Sequence, residues 1–107
     1  MGANPWEDIA AEAEIPEGEL ILVEIAGMPV VVINNEGQIL ALAGRCTHEG
    51  WELGDAFVFD GALICPLHGS RFDLVSGEVL DPPAVDPLEV FEVRVLDHRI
   101  QVRRSSE

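Results

Sequence analysis

Two short segments concentrate the metal-binding residue types of this chain. Cys46-Thr47-His48 places one residue between a cysteine and a histidine, and Cys65-Pro66-Leu67-His68 places two, with residues 49–64 between the pairs. The segments hold the only two cysteines and two of the three histidines among 107 residues. Each pair offers one soft thiolate and one borderline imidazole, so together they present four ligands of the kinds transition metals select.

Several chemistries could use that set. Two cysteines and two histidines suit a [2Fe–2S] cluster in which imidazoles replace two thiolates on one iron. They also suit structural zinc, although zinc motifs usually gather the cysteines together and then the histidines, whereas here each pair is mixed. A Cys–His nucleophile leaves the second pair unexplained, and a reading in which the cysteines only fill a core leaves both histidines incidental. In the mixed iron site thiolates hold the potential down, and neutral imidazoles make the site a better electron acceptor than an all-cysteine one. The imidazoles can also exchange protons as the iron changes charge.

Loops must present both pairs, because the flanking residues read as short strands. Leu20–Ile25 and Met28–Ile33 are apolar and rich in β-branched residues, with Ala26-Gly27 between them as a tight hairpin turn. Pro29 suits a strand start or an edge. The turn Asn34-Asn35-Glu36-Gly37 leads into a strand over Ile39–Ala43, which delivers the chain to a loop over Gly44–Trp51. Ala56–Phe59 and Ala62–Ile64 form a hairpin about Asp60-Gly61 that ends at Cys65, and Pro66–Arg71 is the second loop. Phe72–Leu74 and Glu78–Leu80 flank Val75-Ser76-Gly77, and Leu88–Leu96 pairs with Ile100–Arg103 across Asp97-His98-Arg99. Trp6–Ala13 is compatible with a turn of helix or with a first strand. Short strands punctuated this regularly predict an all-β fold, an antiparallel sandwich or small barrel.

Length and charge bound the rest. The chain is expected to form one domain over residues 1–107, and 48% hydrophobic residues exclude disorder. Twenty acids against six arginines, with no lysine, give a net charge of −14. That field repels nucleic acid and anionic membranes and steers the protein toward basic protein surfaces. Four arginines (Arg94, Arg99, Arg103 and Arg104) fall near the C-terminus and predict a less negative edge there. No apolar run approaches the roughly 20 residues of a membrane span, and the acidic start lacks the features of a signal peptide. The expected location is the cytoplasm, where a disulfide between the two cysteines is disfavoured.

The stretch Cys46-Thr47-His48-Glu49-Gly50 … Cys65-Pro66-Leu67-His68-Gly69-Ser70-Arg71-Phe72-Asp73 resembles Rieske proteins, and the likeness continues into Gly77-Glu78 and the proline-rich residues 81–88. The resemblance implies the Rieske fold, an antiparallel β-sandwich with a small cluster-binding subdomain, here about residues 44–83. It implies one [2Fe–2S] cluster, with Cys46 and Cys65 on the inner iron and His48 and His68 on the outer, solvent-facing iron. Pro82-Pro83 corresponds to a third loop that shields the cluster. The chain departs from the respiratory members of the family. Trp51 and Leu67 stand where those carry two further cysteines joined in a disulfide, and Phe72 stands where they carry a tyrosine that bonds a cysteine sulfur. Ser70, which can donate to a cluster sulfide, is retained. Hydrogen bonds to sulfur favour the reduced cluster, so losing one predicts a potential in the lower part of the Rieske range of about −150 to +300 mV.

Two absences narrow the function. After the cluster, one histidine remains, His98, read as a surface residue, so the chain cannot build the two-His-one-carboxylate iron site of an oxygenase. No Gly-x-Gly-x-x-Gly fingerprint for a dinucleotide is present. The expected role is that of a one-electron carrier, similar to the ferredoxins of aromatic-ring-hydroxylating dioxygenases. It would take electrons from a flavin-dependent NAD(P)H ferredoxin reductase and pass them to a terminal oxygenase through the His48/His68 edge, by transient docking and without nucleic acid or membrane. The alternative is a Rieske-type small subunit of an assimilatory nitrite reductase. Arg45 and Arg71, which flank the two loops, are expected to brace them.

Overall fold

Val30-Val31-Val32-Ile33 has no polar residue on either face, and all four side chains are fully buried. A strand apolar on both faces must be covered on both, and that requirement organises the molecule. The computed structural model describes residues 4–45, 53–66, 69–81 and 86–105. Ten strands run through them: β1 (Glu7–Ala11), β2 (Leu20–Ile25), β3 (Met28–Asn35), β4 (Gln38–Ala43), β5 (Phe57–Phe59), β6 (Ala62–Ile64), β7 (Arg71–Asp73), β8 (Val79–Asp81), β9 (Val90–Leu96) and β10 (Arg99–Arg104). Single 3-10 turns cover Glu12–Glu14 and Leu53–Asp55. Among the described residues no helix is long and apolar enough to cross a membrane.

Six strands form one antiparallel sheet in the order β1-β10-β9-β4-β3-β2, and β5-β6-β7-β8 form a second. The larger sheet curls toward a barrel, since β10 also approaches β2. Inside the curl lie Ile15, Ile25, Val30, Val32, Ala41, Phe91, Ile100 and Val102. The opposite face of β3 and β4 contributes Val31, Ile33 and Leu42 to a second core, where they meet Leu53, Leu63, Phe72, Leu74 and Leu88. The all-β expectation therefore holds, with β3 as the strand shared by both cores.

Four hairpins close through two residues, at Ala26-Gly27, Glu36-Gly37, Asp60-Gly61 and Asp97-His98, each with both central φ angles positive. This is the turn whose twist matches paired strands. The structure settles one open choice of the sequence and corrects one expectation. The ambiguous N-terminal stretch is strand over Glu7–Ala11, because β10 offers it a free edge, and the following three residues form the 3-10 turn. Arg71 is not in the second loop but opens β7, where it pairs with Asp81 of β8.

Candidate metal centre

Cys65 follows directly on β6, and its side chain turns into the core between the two sheets, where only 3% of the residue remains exposed. Its backbone N–H donates to the Ser70 carbonyl at 2.9 Å, and the Gly69 N–H donates back to the Cys65 carbonyl at 2.9 Å. The chain thus leaves the small sheet at Cys65 and re-enters it at Ser70, which is fully buried. Gly69 takes a left-handed φ of 76° to make the return.

The other two segments that flank the site have equally defined feet. The Gly44 N–H donates to the Pro29 carbonyl at 2.8 Å, and the Leu53 N–H donates to the Gly44 carbonyl at 2.7 Å, so the chain departs and returns on either side of residues 46–52 at adjacent points. Gly44 is where β3 and Leu22 of β2 crowd in. A Cβ there would sit 2.8 Å from Leu22 Cδ1 and 3.0 Å from the Pro29 carbonyl carbon. The third segment leaves at Asp81 and returns at Leu88, whose N–H donates to the Gly77 carbonyl at 2.8 Å. An ion pair from Arg71 to Asp81 joins the foot of the second segment to that of the third. This is the bracing role expected for Arg71.

Of the four sequence-identified ligands, Cys65 is the one whose position is described. Cys46, His48 and His68 lie outside the described residues, as do Trp51, Leu67 and Pro82-Pro83. The setting of Cys65 fits an iron–sulfur group: a thiolate ligand in a dry apolar layer, in a tight loop that ends at a buried hydroxyl. Among the described residues no cluster of three or more His, Cys, Asp or Glu forms a rival metal site. His98 stands at the β9–β10 turn with its side chain 93% exposed and Nδ1 3.4 Å from Glu12 Oε1, as a surface histidine should.

The C-terminal arginines have defined partners. Arg99 pairs with Asp8, Arg103 with Glu92 at 2.7 Å, and Arg104 with Glu89 at 2.7 Å, while Arg94 and Arg103 place their guanidinium carbons 4.4 and 4.2 Å from the Trp6 ring centre. The C-terminal arginines are therefore matched to acids and to an aromatic face, which neutralises this region locally within a chain of charge −14. Arg99 holds the Asp8 carboxyl below its ordinary value, and Asp8 in turn raises Arg99. The Asp73 carboxyl is likewise lowered, by the backbone N–H groups of Ser76 and Val75 that it accepts. Sequence reasoning placed Gly44 at a loop start, Gly77 in a turn and Asp73 in the motif, but not the close backbone approaches at the two glycines or the N–H groups that Asp73 accepts. The turn composition around residues 73–77 was the one local signal available.

Comparison with known proteins bears on this geometry. The family model described as the Rieske [2Fe-2S] domain matches residues 5–92. The ferredoxin component of the naphthalene 1,2-dioxygenase/salicylate 5-hydroxylase systems of Ralstonia sp is 31% identical over 98 residues, covering 92% of this chain and 94% of the relative. A chain in the complex of reduced oxygenase and oxidized ferredoxin of carbazole 1,9a-dioxygenase superposes with a TM-score of 0.88 at 27% identity, with 95% of each chain covered. The ferredoxin of carbazole 1,9a-dioxygenase from Nocardioides aromaticivorans IC177 shares the fold with a TM-score of 0.90 at 23% identity, covering 95% of this chain and all of that one.

Proposed function

The chain belongs to the Rieske [2Fe-2S] domain family and is a ferredoxin component of an aromatic-ring dioxygenase system, and on that premise we propose that Cys46, His48, Cys65 and His68 hold its one [2Fe–2S] cluster. The observation that carries the assignment is the burial of Cys65 at the end of β6, in a loop closed on itself by the Cys65–Ser70 and Gly69–Cys65 hydrogen bonds. When bound, the cluster supplies one-electron chemistry. The protein is not itself a catalyst; it delivers electrons to the Rieske oxygenase that performs the reaction.

Residues of this chain set the terms of that delivery. Cys46 and Cys65 would hold one iron, and His48 and His68 would hold the other and offer the edge for electron exchange. Residues 1–107 act as one domain, with about 44–83 as the cluster-binding part. The donor is a flavin-dependent NAD(P)H ferredoxin reductase, and the exchange takes place in the cytoplasm, where the cysteines stay available as ligands. With a charge of −14 the protein is drawn to basic partner surfaces. Contacts of this kind are small, under about 1,200 Å², and exchange quickly.

Metal and sulfide analysis tests the ligand assignment. Wild-type protein should carry about two iron and two acid-labile sulfide per chain and bleach on reduction, and Cys65→Ser should lose both. Colourless protein with stoichiometric zinc would overturn it. Reductase-driven reduction of the oxygenase should slow as salt rises, because screening shortens the reach of the acidic field.

A further inference from the structure

The four strands of the small sheet align one residue from each in a single row: Phe57 opposite Ile64, Ile64 opposite Arg71, and Arg71 opposite Asp81. Every member of this row adjoins a foot of the cluster segments. Phe57 opens β5 after the first, Ile64 precedes Cys65, Arg71 follows Ser70, and Asp81 precedes the third. Phe57, Ile64 and Arg71 lie on the outer face, because their chain neighbours Val58, Leu63 and Phe72 point the other way into the core, and Asp81 meets Arg71 there across an irregular pairing in an ion pair. Phe59 shares this outer face two residues along β5.

Both phenylalanines are open to solvent, Phe57 by 51% and Phe59 by 67%, on a strand with no partner on its outer side among the described residues. Among the described residues no other phenylalanine or tryptophan is exposed. Folding places apolar side chains of this size in water at a measurable cost, and contiguous exposed apolar groups mark interaction sites. Charge says what kind of partner fits. Residues 46–70 contain no arginine or lysine, Asp55 and Asp60 flank β5 and are exposed, and Glu17 and Glu36 face Phe59 across an open cleft of about 420 Å³. A second copy of a chain with charge −14 would bring like charges together. A protein surface with an apolar centre and a Lys/Arg rim meets both features at once.

We infer that the outer face of β5, centred on Phe57 and Phe59, is a docking surface for the oxygenase, extending the cluster end of the molecule down one side. This rests on the electron-carrier reading above. The apolar pair sets how long the complex lasts, and the acids set how fast it forms.

The test is steady-state reduction of the terminal oxygenases of naphthalene, biphenyl and carbazole dioxygenase systems by the holoprotein, itself kept reduced by a saturating ferredoxin reductase with NAD(P)H as the electron source. It uses Phe57→Ser/Phe59→Ser and, separately, Asp55→Asn/Asp60→Asn. Iron content and reduction potential, checked first, should match wild type in both variants. The phenylalanine variant should raise the KM for the carrier by roughly tenfold or more, as expected for the loss of central apolar contacts, with its salt dependence unchanged. The aspartate variant should flatten the salt dependence. A KM within twofold of wild type for Phe57→Ser/Phe59→Ser overturns the docking surface and leaves the carrier function standing. A wild-type protein that reduces none of the three oxygenases overturns the carrier reading and this inference with it. Sedimentation showing a dimer that Phe57→Ser/Phe59→Ser dissolves would assign the face to a second copy and overturn the oxygenase as its occupant.

Discussion

Replacing Gly77 by alanine should weaken this protein far more than replacing Gly61, although both adopt a φ of 76°. Alanine in the left-handed region costs about 1–2 kcal/mol wherever it occurs. At Gly61 nothing lies within 4 Å of the added Cβ, so that is the whole penalty. At Gly77 the Cβ would sit 2.1 Å from the Leu88 carbonyl oxygen, and backbone must retreat by about 1 Å to reach the 3.0 Å limit of real contacts. That retreat breaks the Leu88 N–H to Gly77 carbonyl bond, worth about 1 kcal/mol, and withdraws Leu88, 2% exposed, from the core cluster that contains Cys65. A fully buried leucine contributes roughly 1.5–3 kcal/mol, of which part is lost. The expected loss is roughly 3–5 kcal/mol for Gly77→Ala against about 1–2 kcal/mol for Gly61→Ala, out of a typical total of 5–15 kcal/mol. Thermal unfolding of the holoprotein followed by far-UV circular dichroism should show a midpoint lower by roughly 12 °C or more for Gly77→Ala and about 4–8 °C for each kcal/mol lost in Gly61→Ala. Equal midpoints for the two variants would refute the argument that close approach, and not the dihedral angle alone, demands glycine at position 77.

Three further outcomes follow from the scaffold around Cys65. Ser70→Ala should lower the reduction potential by on the order of 40 mV, the equivalent of one hydrogen bond of about 1 kcal/mol, and Phe72→Tyr should raise it; protein-film voltammetry on both variants decides, and an unchanged or opposite shift in either contradicts the hydrogen-bonding argument. Because the backbone N–H groups of Ser76 and Val75 hold the Asp73 carboxyl below its ordinary value, its contribution is complete above that ordinary value and is lost as pH falls through the lowered native one. Carbon-13 NMR of the carboxyl should therefore find its midpoint below 3.8, and Asp73→Ala should unfold at lower urea than wild type at pH 7. The Arg71–Asp81 pair is 37% and 47% exposed, so a double-mutant cycle with Arg71→Gln and Asp81→Asn should give a coupling below about 1 kcal/mol; a much larger value would mean the pair holds the loop feet by more than a surface interaction.

The legible part of the sequence was local. Asp60-Gly61 and Glu36-Gly37 have the chemistry of two-residue hairpins, and the alternation or continuity of apolar residues marked most strands within one or two positions. Trp6–Ala13 stayed ambiguous because its strand exists only through pairing with β10, about 90 residues away. Arg71 read as loop because its partner Asp81 belongs to a strand of three residues whose pairing is irregular. Asp8, Glu89 and Glu92 gave no sign that they would neutralise the C-terminal arginines, since two pairs form across strands and the third joins β10 to the residue just before β9.

The sequence by itself determined the chemistry. Two Cys–His pairs of fixed spacing supply four transition-metal ligands and a charge of −14 supplies an acidic shell, because ligand type, ligand count and net charge are properties of composition and short-range order; the resemblance of the surrounding motif to Rieske proteins is what turned that ligand set into a one-electron carrier. Only the tertiary structure decided that Val30–Ile33 would be buried on two sides, that Gly44 would be pressed by the backbone of β3 and Gly77 by that of Leu88, and that Cys65 would face the core while Phe57 and Phe59, on a neighbouring strand, face water. Those facts depend on which strands meet and in what register, and a one-residue change of register would exchange the two faces of β5.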